Sequence, residues 1–132
     1  MRKKKILIVT SNYYPEISRQ LKNNAMKILK SKINHDEIII PGVFEIPVVI
    51  SRNIKTYDGF IALGCVIKGK TPHFELISKA VTNALMYLSV THKKPIGNGI
   101  ITCFNKKQAL ERVDKGAEAS LAVKKVILNR DD

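Results

Sequence analysis

The sequence predicts an α/β fold, a three-layer α/β/α sandwich around a four-stranded parallel sheet, and two observations carry that expectation. Short apolar runs at 4–10, 37–40, 58–66 and 99–103 alternate with segments of helical period. Such nearly continuous runs suit strands buried on both faces. Polar and special residues also collect just after these runs, at 10–14, 41–45, 65–73 and 103–105. Ligands of parallel sheets bind there, outside the carboxyl ends of the strands. In 132 residues there is no linker, repeat or low-complexity segment, so one domain is expected.

Taken in order, 4–10 is the first strand and 11–17 a loop with Tyr13, Tyr14 and Pro15. Ser18 is a candidate cap for a helix to about residue 31, with Leu21, Ala25, Ile28 and Leu29 at helical spacing. A second strand at 37–40 is stopped by Pro41 and Gly42. Residues 44–54 read as a helix with Pro47 in its first turn, where a missing N–H costs little. The third strand, 58–66, is followed by a turn at 69–72 and a long amphipathic helix over 73–90. Pro95 opens the fourth strand, and helices over 106–112 and 115–129 end the chain.

The formal charge of +12 suggests nucleic acid at first sight, because cations displace counterions from phosphates. Its lysines, however, come as scattered pairs (Lys93 and Lys94, Lys106 and Lys107, Lys124 and Lys125) without interleaved aromatics or a recognised motif. A solvated basic surface is expected, with no nucleic-acid partner, and it would still concentrate anionic metabolites. No stretch approaches the ~20 apolar residues of a membrane span, and the short basic-then-apolar start lacks a cleavage site. Cys65 and Cys103 make neither a disulfide framework nor, with the histidines, a zinc cluster. A cytoplasmic protein without metal or cofactor is the expectation.

Residues 64–71 match G-x-x-x-x-G-K-[ST], the phosphate-cradling loop of nucleotide hydrolases. The chemistry fits poorly. Cys65, Val66 and Ile67 suit a buried strand end better than a wrapping loop, and Pro72 removes an N–H from the turn. What survives is an anion-binding turn at Gly69, Lys70 and Thr71, where a loop enters a helix. His73 follows it, either as an exposed polar residue or as a proton carrier near neutral pH. Glu45 stands at a helix start, as dipole complement or ligand contact. Tyr13 and Tyr14 are stacking candidates or partial core cover, and Arg112 and Lys115 a phosphate-reaching or solvated pair. Cys65 and Cys103 read as packing residues rather than nucleophiles.

In sequence order, PGVFEIP at 41–47, LGCVIKGKTPHFE at 63–75, PIGNGIIT at 95–102, and ER and KG near 111–116 resemble the lumazine synthase family along nearly the whole chain. The central segment meets the family pattern G-x-V-I-[RK]-G-x-T-x-H-[FY]-[DE] throughout. The resemblance implies a flavodoxin-like strand order 2-1-3-4 and a cofactor-free transferase of riboflavin biosynthesis. That activity condenses 5-amino-6-ribitylaminouracil with 3,4-dihydroxy-2-butanone 4-phosphate to 6,7-dimethyl-8-ribityllumazine, releasing phosphate and water.

By the same resemblance, Tyr13 stacks on the pyrimidine, and Val43, Phe44 and Glu45 take the ribityl chain. Cys65, Val66 and Ile67 present backbone to the pyrimidine edge, and Lys115 lines the pocket. Gly69, Lys70 and Thr71 hold the butanone phosphate with Arg112, and His73 carries protons. Sites would lie between neighbours of a homopentamer, with Arg112 and Lys115 from the adjacent subunit and riboflavin synthase as an associated protein. Three departures matter. Asn98 replaces a bulky aromatic beside the ring, only Val113 and Asp114 separate Arg112 from Lys115, and no strand-adding segment precedes the first strand. The last favours a pentamer over an icosahedral shell. A lumazine- or riboflavin-binding protein with weak catalysis, or a basic nucleic-acid-binding domain, would be the competing readings.

Overall fold

A computed structural model describes residues 3–30, 33–69 and 73–129. Four strands, β1 (Lys5–Ser11), β2 (Asn34–Ile40), β3 (Gly59–Ile67) and β4 (Ile96–Cys103), form one sheet of order β2-β1-β3-β4. Every neighbouring pair is parallel. The helices are α1 (Pro15–Leu29), α2 (Ile46–Arg52), α3 (His73–His92), α4 (Lys106–Glu111) and α5 (Lys115–Leu128). A 3₁₀ turn at Val43–Glu45 precedes α2.

The nearly continuous apolar runs are explained by the two faces they serve. Ile6, Ile8, Ile61, Leu63 and Cys65 point into one core with α1 and α5. Leu7, Val9, Phe60 and Ala62 point into the other, with α2 and α3. Alternate side chains of a strand face opposite ways, so burial on both faces leaves no polar period to read. This is the three-layer, flavodoxin-like arrangement expected from the sequence.

Three elements begin elsewhere than their sequence suggests. Helix α1 starts at Pro15 and not at Ser18. Proline fixes φ and has no N–H to leave unsatisfied, so it opens the first turn. Ser18 is no cap; it is buried, and its Oγ donates to the Ser11 carbonyl. Strand β2 begins at Asn34, because its polar first half pairs with Lys5–Ile8 although its side chains are partly exposed. The helix expected over 44–54 divides into the 3₁₀ turn and α2, as Glu45 folds back on the Gly42 N–H (3.1 Å). Strand β4 opens directly after Pro95, three residues ahead of the apolar run at 99–103. Residue 31, Lys70, Thr71 and Pro72 lie outside the described residues. Among the described residues, no helix is long and apolar enough to cross a membrane.

Candidate active site

The carboxyl ends of β1, β2 and β3 meet in one cleft of about 270 Å³. The loop after β1 is pinned at both ends. The Asn12 N–H reaches the Ile40 carbonyl (2.8 Å), extending the ladder by one bond, and the Ser18 N–H closes on the Tyr14 carbonyl (3.0 Å). Tyr13 and Tyr14 therefore line the cleft from a short anchored arch. After β2, the Pro41 carbonyl accepts from Ser11 Oγ (3.4 Å) and the chain turns at Gly42. Val43 is buried in the cleft wall, and Phe44 beside it is exposed.

Val43 sits so close to β3 that a Cβ on Gly64 would lie 2.6 Å from its Cγ1. Glycine is required there by close approach, not by backbone conformation. The next residues, Cys65, Val66 and Ile67, run along the wall of the cleft as the end of β3. They belong to a strand, which excludes the nucleotide-loop geometry that their sequence mimics. The Lys68 N–H then bonds the Cys103 carbonyl (2.8 Å), holding the exit of β3 against the end of β4. Gly69 is exposed in open space. His73 begins α3 on the far side and lines the cleft with Ile77, one helical turn later.

A second cleft of about 240 Å³ adjoins the first, sharing Val43 and Val66. It is lined by Asn98, Arg112 and Lys115, together with Ser78, Thr82 and Thr102. Helix α4 begins with a reciprocal cap: Asn105 Oδ1 accepts the Gln108 N–H (2.9 Å), and Gln108 Oε1 accepts the Phe104 N–H (2.8 Å). This short, well-capped helix returns Arg112 to β4, where its Nη1 donates to the Thr102 carbonyl (3.0 Å). The Asn98 amide is turned onto its own strand, its Oδ1 accepting the Ile100 N–H (3.0 Å).

Cys65 is 5% exposed, and burial first, then the neighbouring Cys103, pushes its thiol up to about 12. A neutral thiol in this position is a wall, not a nucleophile. Burial also raises the Tyr14 phenol, with smaller contributions from Tyr13, Cys65 and Cys103. Among the described residues, no group of three His, Cys, Asp or Glu could hold a metal ion.

Residues 3–130 match the family model described as 6,7-dimethyl-8-ribityllumazine synthase. The chain belongs to that family. Among its relatives, a 6,7-dimethyl-8-ribityllumazine synthase of Bartonella bacilliformis is 46% identical over 116 residues, 84% of this chain and 76% of the relative. A second, from Bartonella tribocorum, is 43% identical over 136 residues, covering 93% and 90% of the two chains. A 6,7-dimethyl-8-ribityllumazine synthase 1 of Rhodopseudomonas palustris is 40% identical over 131 residues, covering 89% and 80%. Membership makes the protein an enzyme of the transferase class, in riboflavin biosynthesis.

The family's candidate residues fall into two groups. Tyr13, Val43, Phe44, Cys65, Val66, Ile67 and His73 share the first cleft, whereas Asn98, Arg112 and Lys115 share the second. Glu45 is in neither wall; its carboxylate closes the Gly42 turn. Lys70 and Thr71 lie outside the described residues. Ile77, Ser78, Thr82 and Thr102 also line the clefts without belonging to a motif. Their signal was period alone, since Ser78 and Thr82 are four apart on α3, and Asn98, Ile100 and Thr102 alternate along β4.

Proposed function

We propose that the enzyme condenses 5-amino-6-ribitylaminouracil with 3,4-dihydroxy-2-butanone 4-phosphate to form 6,7-dimethyl-8-ribityllumazine, phosphate and water, as a single domain in the cytoplasm and without a cofactor. The observation that carries this reading is the first cleft, whose lining combines apolar walls and an aromatic rim with His73 at the start of α3. A flat pyrimidine stacks on Tyr13 with its edge along the backbone of Cys65, Val66 and Ile67. The ribityl chain runs past Val43 and Phe44 towards Glu45, whose carboxylate accepts hydrogen bonds from its hydroxyls. The phosphate sits on the turn of Gly69, Lys70 and Thr71.

The pyrimidine's amine attacks the butanone carbonyl carbon, and the carbonyl oxygen leaves as water once protonated. Loss of the C3 proton then forms a C=C bond as phosphate departs with the electron pair of its C–O bond. The resulting enol tautomerises to a ketone, the ribitylamino nitrogen attacks it to close the ring, and its oxygen leaves as a second water. These steps need protons relayed at one place, and His73 beside the phosphate turn is suited to relay them. Holding two substrates in register accounts for most of the acceleration. His73→Ala therefore slows turnover by roughly tenfold to a thousandfold without abolishing it.

Arg112 completes the phosphate site and Lys115 lines the pocket, both from the neighbouring subunit of a pentamer, and riboflavin synthase is the associated protein. In support, they open on a different cleft from Tyr13 and His73 of their own chain. Helix α3 also carries exposed apolar residues, Leu76, Tyr87 and Val90 among them, of the kind that subunit contacts cover. The test mixes both substrates with purified protein and follows lumazine absorbance, its fluorescence and free phosphate. Product above the uncatalysed rate is expected; none, with the assembly intact, overturns the proposal.

A further inference from the structure

Tyr13 is 70% exposed, and cavities lie on both sides of it: the first cleft, and a wider groove of about 640 Å³ reaching Lys106 and Leu110. A ring in that position has rotamer freedom that a ligand would have to remove on binding. Among the described residues its aromatic partner is Tyr14, edge-to-face with centroids 4.9 Å apart and planes at 78°. Tyr14 is anchored where Tyr13 is not. It packs on the α1–α5 core, its carbonyl takes the first helical bond of α1, and Lys106 Nζ stands 5.9 Å from its ring centroid.

We propose that Tyr14 is a positioning residue, which braces the Tyr13 ring in the orientation that walls the cleft. The proposal rests on the reading of Tyr13 as the stacking wall for its importance to binding, but not for the bracing itself. Core packing and the Lys106 contact hold Tyr14, Tyr14 holds Tyr13, and Tyr13 meets the ligand already oriented. The phenol oxygen of Tyr14 has no part in this, so phenylalanine should serve equally well.

Two measurements separate the bracing from the stacking. Fluorotyrosine at position 13 reports the ring by fluorine NMR in ligand-free protein. Tyr14→Leu, which retains buried apolar volume without a ring, should move that resonance towards its solvent-averaged value, while Tyr14→Phe leaves it in place. An unmoved resonance in folded Tyr14→Leu protein overturns the proposal. Separately, binding of 6,7-dimethyl-8-ribityllumazine is titrated by fluorescence, and the pyrimidine KM is measured. Tyr14→Leu should raise both the Kd and the KM by about twofold to tenfold, the worth of one edge-to-face pair, with kcat changed less. In a Tyr13→Ala background the same substitution should add nothing. An undiminished effect there means that Tyr14 acts on the ligand directly and overturns its positioning role. If Tyr13→Ala leaves affinity unchanged while the fluorine signal still responds, the bracing stands and the stacking role of Tyr13 falls.

Discussion

At the end of β3, Cys65 shows how a reactive residue type is made inert by its surroundings. It belongs to the core that also holds Ile61 and Leu63 of the same strand, and it forms part of the cleft wall. Desolvation disfavours the thiolate, and the thiol is pushed up to about 12. Because the folded value lies above the unfolded one, the associated stability is complete below the unfolded value and is lost progressively as the pH rises from there through the folded one. The expected outcome is that iodoacetamide at pH about 8 leaves Cys65 unmodified in native protein and alkylates it in denaturant. Rapid native-state modification, mapped by mass spectrometry, would contradict the assignment. Cys65→Ala should also leave turnover within a few-fold of the parent, since only backbone is asked of this position.

Between elements, the closest fit is the crossing of α1 and α5. Gly116 lies against the Leu21 backbone, where a Cβ would overlap the carbonyl oxygen. One turn on, Ser120 Oγ donates to the Ala25 carbonyl (2.8 Å), and another turn on, Lys124 Nζ donates to that of Ile28 (3.3 Å). Gly116→Ala gains helix propensity but forces the helices apart, for a net loss of about 1–3 kcal/mol in denaturant unfolding. A neutral or stabilising result would show that the crossing can relax. A second inter-element contact joins β2 to the segment before β3. The Tyr57 hydroxyl donates to Asp36 Oδ2 (2.8 Å), with Lys5 Nζ 3.2 Å from the same oxygen. Tyr57 first, and Lys5 second, hold the Asp36 carboxyl below its ordinary value. A depressed carboxyl contributes stability above its unfolded value and loses it as the pH falls through the folded one. The Tm difference between the parent and Asp36→Asn should therefore be present at neutral pH and close below about pH 4; a difference that persists in acid would mean that another interaction is responsible.

Over the whole molecule, charge follows helix direction in the three longest helices. Glu16, Glu75 and Glu118 stand in the first turns of α1, α3 and α5, and Lys27, His92 and Lys125 in their last turns. The glutamates and lysines complement the helix dipoles, so their placement has a local structural cause that composition does not reveal. The division of candidate residues between two clefts has a consequence at the same scale. If Arg112 serves the neighbour's site, then His73→Ala and Arg112→Ala proteins, each impaired, should regain activity when unfolded together and reassembled. Random mixing in a cyclic oligomer leaves about a quarter of the sites with both native groups. Activity no greater than the mean of the parents would place both residues in one subunit's site.

While the family resemblance supplied most of the residues that line the first cleft, period and turn residues such as Pro41 and Gly42 were enough to read the fold class and the strand ends where that cleft opens. They left Ser18 misread as a cap and β2 three residues short, because Ser18 bonds to Ser11 across the loop and β2 is held by the β1 ladder rather than by its own side chains. Only packing in three dimensions brings Cys65 and Cys103 together in one core, admits Val43 against Gly64, and puts Arg112 and Lys115 on a cleft that adjoins the one lined by His73. The physical reason is common to all three. Each depends on segments distant in sequence, governed by which atoms the packed sheet and helices bring within a few ångströms, and no local period records such a meeting.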